Sequence, residues 1–198
     1  MEPIPTHWAD PPWSAPLDTE AAIDAIPAEA TLSGVFLAAV ADGASKDGPL
    51  PGARTSYTHF RPYPLREHAR LLVAAAPVLW PRESMREGLR RLGRRTPQAL
   101  VGSLIGRVVL GSVEGPLEVL RAVARSYPMH LKPGSAEVVE LGPGRAVVRL
   151  REVHHFVDSH HCGSLEGALR YAEVDGRVRI HAYSRADADF LCEWTARR

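Results

Sequence analysis

The stretch Cys162-Gly163-Ser164-Leu165-Glu166-Gly167, followed by Val178-Arg179-Ile180-His181-Ala182-Tyr183 and Phe190-Leu191-Cys192-Glu193-Trp194-Thr195, decides the fold. Its first part opens a helix over 164–172: Leu165 and Leu169 lie four apart and share one face. Gly163 and Gly167 leave that helix free to approach a neighbour closely. The two later runs alternate like strands, so Phe190, Cys192 and Trp194 point one way and Leu191 and Glu193 the other. Working outward toward the N-terminus, 136–141 and 145–153 flank Gly142-Pro143-Gly144 and read as strand, turn, strand. These residues predict an antiparallel sheet carrying one crossing helix.

Before Tyr127-Pro128 the period changes to that of helices. Asp18 is a plausible N-cap for 19–26, with Glu20 in the first turn. Residues 31–41 and 65–76 carry apolar positions at helical spacing, Leu72, Val73 and Ala76 among them. Helices also follow over 83–92, ended by Gly93 as a left-handed C′ residue, over 97–109 from Pro97 at N1, and over 116–127. Gly102 and Gly106 lie four apart and could serve close helix packing across a dimer contact. Residues 42–52 are loop. The predicted class is α+β: an N-terminal helical layer packed with a C-terminal antiparallel sheet carrying one crossing helix. Residues 1–17, with five prolines and two tryptophans, read as an extended arm, and 18–198 as a single domain.

The 24 Lys and Arg against 23 Asp and Glu give no overall basic footprint for nucleic acid. Two cysteines make no disulfide scaffold. The N-terminus shows no signal-peptide pattern, and no apolar run is long enough to span a bilayer, so a cytoplasmic protein is expected.

Three clusters bear on function. His154, His155, His160, His161 and Cys162 place five potential metal donors within nine residues. Their spacing fits no standard zinc motif, and neighbours on a strand face opposite ways. The expectation is therefore histidines on a strand edge and loop without a metal, with His160, His161 and Cys162 as the candidates if one is bound. Cys162 at a helix start could have thiolate character, though a buried packing role is favoured. Arg86, Arg90 and Arg94 repeat every four residues as a basic ridge able to bind an anion or an acidic partner.

Several short motifs in order resemble a paralogous family of unknown function expanded in myxobacteria (domain of unknown function 2378). They are Ile26-Pro27-Ala28-Glu29-Ala30, Gly34-Val35-Phe36, Phe60-Arg61-Pro62-Tyr63-Pro64, Glu87-Gly88-Leu89-Arg90-Arg91-Leu92-Gly93-Arg94, Gly106-Arg107, Cys162 to Gly167, and Cys192-Glu193-Trp194. That family is distantly similar to the group of haem nitric-oxide-binding domains, vinyl-reductase-type ligand domains and vesicle-tether subunits. The resemblance implies several helices followed by an antiparallel sheet, with a ligand pocket or an assembly surface. Haem-binding members of the group present a histidine on the helix before a Tyr-Pro pair and a Tyr-x-Ser-x-Arg cluster. Here 117–126 contains no histidine, Leu120 or Arg121 standing in its place, and no such cluster follows. No cofactor is therefore expected.

The functional expectation is a non-enzymatic regulatory or sensory module binding a small apolar or amphipathic ligand, or a protein partner. One alternative is an assembly protein acting as a homodimer. The other is a thiol- or metal-dependent enzyme centred on Cys162.

Overall fold

The computed structural model describes residues 2–44, 50–102 and 113–196, the last four residues of the second segment by backbone alone. Helix α1 (Thr19–Asp24) is capped as its sequence predicts: the Asp18 carboxylate accepts from the Ala21 amide at 3.0 Å. A short strand β1 (Thr31–Ser33) then leads into α2 (Gly34–Ala44), and β2 (Pro62–Pro64) leads into α3 (Leu65–Leu79). Helix α4 spans Met85–Gly102 and α5 spans Pro116–His130; β3 (Leu131–Lys132) follows directly. Strands β1 to β3 form a small antiparallel sheet in the order β2-β1-β3. That sheet ties the starts of α2 and α3 to the end of α5, so side chains from three helices meet at one place.

The C-terminal sheet is antiparallel in the order β4-β5-β7-β6, built from β4 (Ser135–Gly142), β5 (Arg145–Arg151), β6 (Val174–Ala182) and β7 (Ala188–Ala196). A π-helical turn, Val157–His161, runs into the crossing helix α6 (Cys162–Tyr171). The α+β class and the crossing helix therefore stand as predicted. Phe190 and Cys192 are wholly buried on the core face, whereas Trp194 on that face is only half-buried. Burial of Leu65, Leu72, Leu89, Leu120, Leu150, Leu165 and Phe190 joins helices and sheet in one core, the main favourable term in folding.

Three sequence expectations change. The helices predicted over 83–92 and 97–109 are one through Gly102, with Gly93 and Pro97 inside it. Gly93 is needed for close approach rather than for a stop: a Cβ there would lie 2.0 Å from the His160 carbonyl oxygen. The helix predicted to end at Tyr127 continues to His130, because Pro128 in a last turn removes only one backbone bond. Residues 31–33 are strand rather than helix. Gly106 lies outside the described residues, and with it the proposed Gly102/Gly106 contact. Residues 2–17 lie against the domain: Ala9 pairs with Ile180 on the β6 edge, and the Arg90 guanidinium sits 4.0 Å over the Trp13 ring.

Candidate metal and ligand site

Three consecutive structural choices gather the histidines. Glu152, His154 and Phe156 all have positive φ (57°, 50° and 49°), a left-handed conformation that costs non-glycine residues energy and tends to persist at functional sites. This zigzag turns His155 inward and His154 outward. The following π-helical turn, a geometry that also favours functional sites, carries His160 and His161 into the interior together. From the helical layer, α3 presents His68 on the same buried face as Leu65 and Leu72.

The four rings pack against one another. Centroid distances are 4.7 Å for His155–His161, 5.4 Å for His160–His161, 5.5 Å for His155–His160, 5.4 Å for His68–His155 and 5.7 Å for His68–His160. Each of the four is 4% exposed or less. His155 Nδ1–H donates to the Val153 carbonyl at 2.7 Å, which leaves its Nε2 as a free lone pair. Tyr127 Oη lies 2.9 Å from His161 Nδ1. His68 Nδ1, His155 Nε2, His160 Nδ1 and, at the end of α5, His130 Nε2 are buried with no hydrogen-bond partner among the described residues. Unpartnered buried polar atoms are uncommon and call for an explanation.

Burial is the first cause of every histidine shift here. It pushes His155 down to about 4 and His68, His160 and His161 well below the usual imidazole range, and the neighbouring rings push the last three further. Burial also lowers His130. All are thereby kept neutral, the form that binds metals. The histidines border a cavity of about 510 Å³, mouth included, lined also by Leu32, Phe36, Pro97, Val123, Tyr127 and Leu131. The interior is tight: centres of water-sized occupants have about 50 Å³ available, room for a few waters or an ion with a small ligand.

Of the sequence candidates, the structure brings His160 and His161 together and adds His155; His155, His160 and His161 can each offer an atom within 4.8 Å of the others. Cys162 is not among them. Its Sγ lies 3.8 Å from the Val157 carbonyl, and burial pushes its thiol well up, which matches a packing role. The arginine ridge faces inward. Arg86 pairs with Asp158, Arg90 grips Glu166 and also Glu87, and Arg94 reaches Glu166 at 2.6 Å. The acidic groups these arginines meet belong to the chain itself. His68 and His130 were missed because each is a lone histidine in a helix, without a spacing signal.

This arrangement of helices and an antiparallel sheet is the fold of the H-NOX domains. An H-NOX protein from K. algicida in the unliganded Fe(II) state aligns with a TM-score of 0.62 at 13% identity, covering 84% of this chain and 98% of its own. H-NOX structures from S. oneidensis in the Fe(II)NO state and Shewanella oneidensis in the Fe(II)CO state give 0.62 and 0.64 at 11% and 12% identity, each covering 83% of this chain and 99% of theirs. The chain belongs to the family described as "Protein of unknown function (DUF2378)", whose model matches residues 29–195. No curated protein matches it by sequence.

The expectation of no cofactor is corrected by these findings. H-NOX structures of this fold are described in Fe(II) states, and although 117–126 holds no histidine, α5 runs past Tyr127-Pro128 to His130, which borders the cavity. The donor chemistry fits an iron-bearing group, since neutral imidazoles with unpartnered nitrogens are what iron takes. His130 is the donor that α5 supplies, and His68, His155 and His160 the others with unpartnered nitrogens. Iron held there would supply a coordination position for a small ligand.

Proposed function

We propose that this chain is a sensory module that takes up a small ligand at a histidine-held metal centre between its helical layer and its sheet. The observation that carries this reading is the set of buried, neutral imidazoles with unpartnered nitrogens around one mostly apolar cavity. Such groups cost stability unless something occupies them, and a metal with an open position satisfies the nitrogens while leaving the apolar walls to enclose a small molecule. The iron-state and gas-ligand descriptions of the H-NOX neighbours support the choice of a diatomic gas as the ligand class. Binding would be read out through the elements that the cavity joins, α2, α3, α5 and the π-helical turn.

The test is optical and mass-spectrometric. Full-length protein purified without oxygen is assayed for bound metal and exposed to CO and to NO. The expected result is a bound metal whose absorption or paramagnetic spectrum changes on addition of NO. Protein carrying a full complement of metal that responds to neither gas, with no small molecule retained in native mass spectrometry, would overturn the reading.

A further inference from the structure

We infer that His155, His160 and His161 bind one divalent first-row transition ion directly, as a three-imidazole site whose remaining position faces a small exogenous ligand. This rests on the proposed function and names the donors of its centre. The donor atoms lie within 4.8 Å of one another. Tetrahedral ligation at about 2.0–2.1 Å sets neighbouring donors roughly 3.4 Å apart. Closing the site therefore asks the three rings to move inward by about an ångström, which side-chain rotation supplies.

The surroundings are those of a ligand set. Metal-bound histidines usually donate their other ring N–H to a carbonyl or a comparable acceptor, which fixes the tautomer. His155 does this to Val153, and His161 Nδ1 has Tyr127 Oη within reach. His155 in that tautomer keeps its Nε2 for the metal, and so does His161 when its Nδ1–H donates to Tyr127 Oη, its Nε2 then turned into the cluster 3.5 Å from His155 Nδ1; His160 offers its unpartnered Nδ1. The positive-φ run at 152–156 and the π-helical turn bring all three rings to one point. An all-imidazole set suits iron, cobalt, nickel, copper and zinc rather than magnesium or calcium. Three protein donors leave a position open, as in metal sites that bind an exogenous molecule. The tight interior matches an ion with a water-sized or diatomic ligand. His68 closes the remaining side of the cluster, ring to ring with His155 and His160.

Full-length protein treated with a chelator is titrated with Co²⁺, and the bound ion is then displaced with Zn²⁺. One equivalent is expected, with the visible absorption of tetrahedral cobalt lost when zinc enters, and a rise in melting temperature with either ion. His155→Ala and His160→Gln are each expected to weaken Co²⁺ binding at least tenfold, whereas His154→Ala, on the outward-facing neighbour, keeps it. Should one variant fail to fold, the cobalt spectrum of the other, and the zinc-induced rise in the parent, still decide. Co²⁺ binding that is absent from the parent, or unchanged in both His155→Ala and His160→Gln, overturns the assignment. So does protein whose only metal is haem iron, a result that would leave the sensory reading standing. Stoichiometric cobalt in a protein that responds to no small ligand would support this assignment and sink the sensory reading instead.

Discussion

Glu166 is the residue on which the arginine ridge converges. It lies on α6 with its side chain 10% exposed, and takes the forked guanidinium of Arg90 at 2.8 Å and Arg94 at 2.6 Å. Removing one partner of a buried pair leaves the other's charge uncompensated, which costs about 3–5 kcal/mol. Glu166→Gln is expected at the lower end, about 3 kcal/mol, because Arg90 keeps Glu87 and both arginines are 19% exposed. Arg91→Ala, which breaks more exposed pairs to Glu83 and Glu87, should cost about 1 kcal/mol or less. Urea denaturation of the two variants checks the difference, and equal costs would remove the internal role argued for Glu166. The arginine spacing was legible in the sequence. Its direction was not, because periodicity places residues on a common face without saying whether a carboxylate lies opposite.

The decisive contact between elements is the crossing of α4 with α6 and the turn before it. Three glycines make it: a Cβ on Gly93, Gly163 or Gly167 would lie 2.0, 1.9 or 2.5 Å from the carbonyl oxygen of His160, Arg90 or Arg94. Backbone cannot yield as a side-chain tip does, so the helices would have to separate. Gly163→Ala is therefore expected to destabilise by about 3 kcal/mol or more, the upper end for overpacking. This outweighs the 0.5–1 kcal/mol or so that alanine gains over glycine within a helix. A Gly163→Ala protein that melts like the parent would contradict this crossing. Gly163 and Gly167 were legible as packing glycines from their spacing. Gly93 was misread as a helix end, since a glycine needed for left-handed backbone and one needed for close approach look alike in sequence.

For the whole molecule, burying neutral histidines couples stability to pH. An unfolded histidine titrates near 6.5, while folded His155 titrates near 4 and His68, His160 and His161 well below their usual range. Above about pH 6.5 these groups are neutral in both states and their full contribution to stability is present. As pH falls below that, the unfolded chain takes up protons the folded chain refuses, and stability is lost down to about pH 4. His155 alone accounts for about 3 kcal/mol across this window. Metal-free protein should therefore melt at markedly lower temperature at about pH 5 than at about pH 7, ahead of the range where carboxylates titrate. A flat melting temperature between those values would show that the histidines are not buried in neutral form.

The sequence by itself determined the class of fold: alternation in 136–141, 145–153 and 190–195, helical spacing from 65 to 76, and leucines four apart in 164–172 are local signals, read from neighbours along the chain. It also showed that histidines crowd 154–161. Only the tertiary structure decided what they do. His68 comes from α3 and His130 from α5, brought to the cavity by the small β2-β1-β3 sheet, and His155 joins His160 and His161 through a backbone zigzag that no period encodes. Periodicity arises from bonds between near neighbours, whereas a ligand set depends on which distant faces are buried together, and that is decided when the core packs.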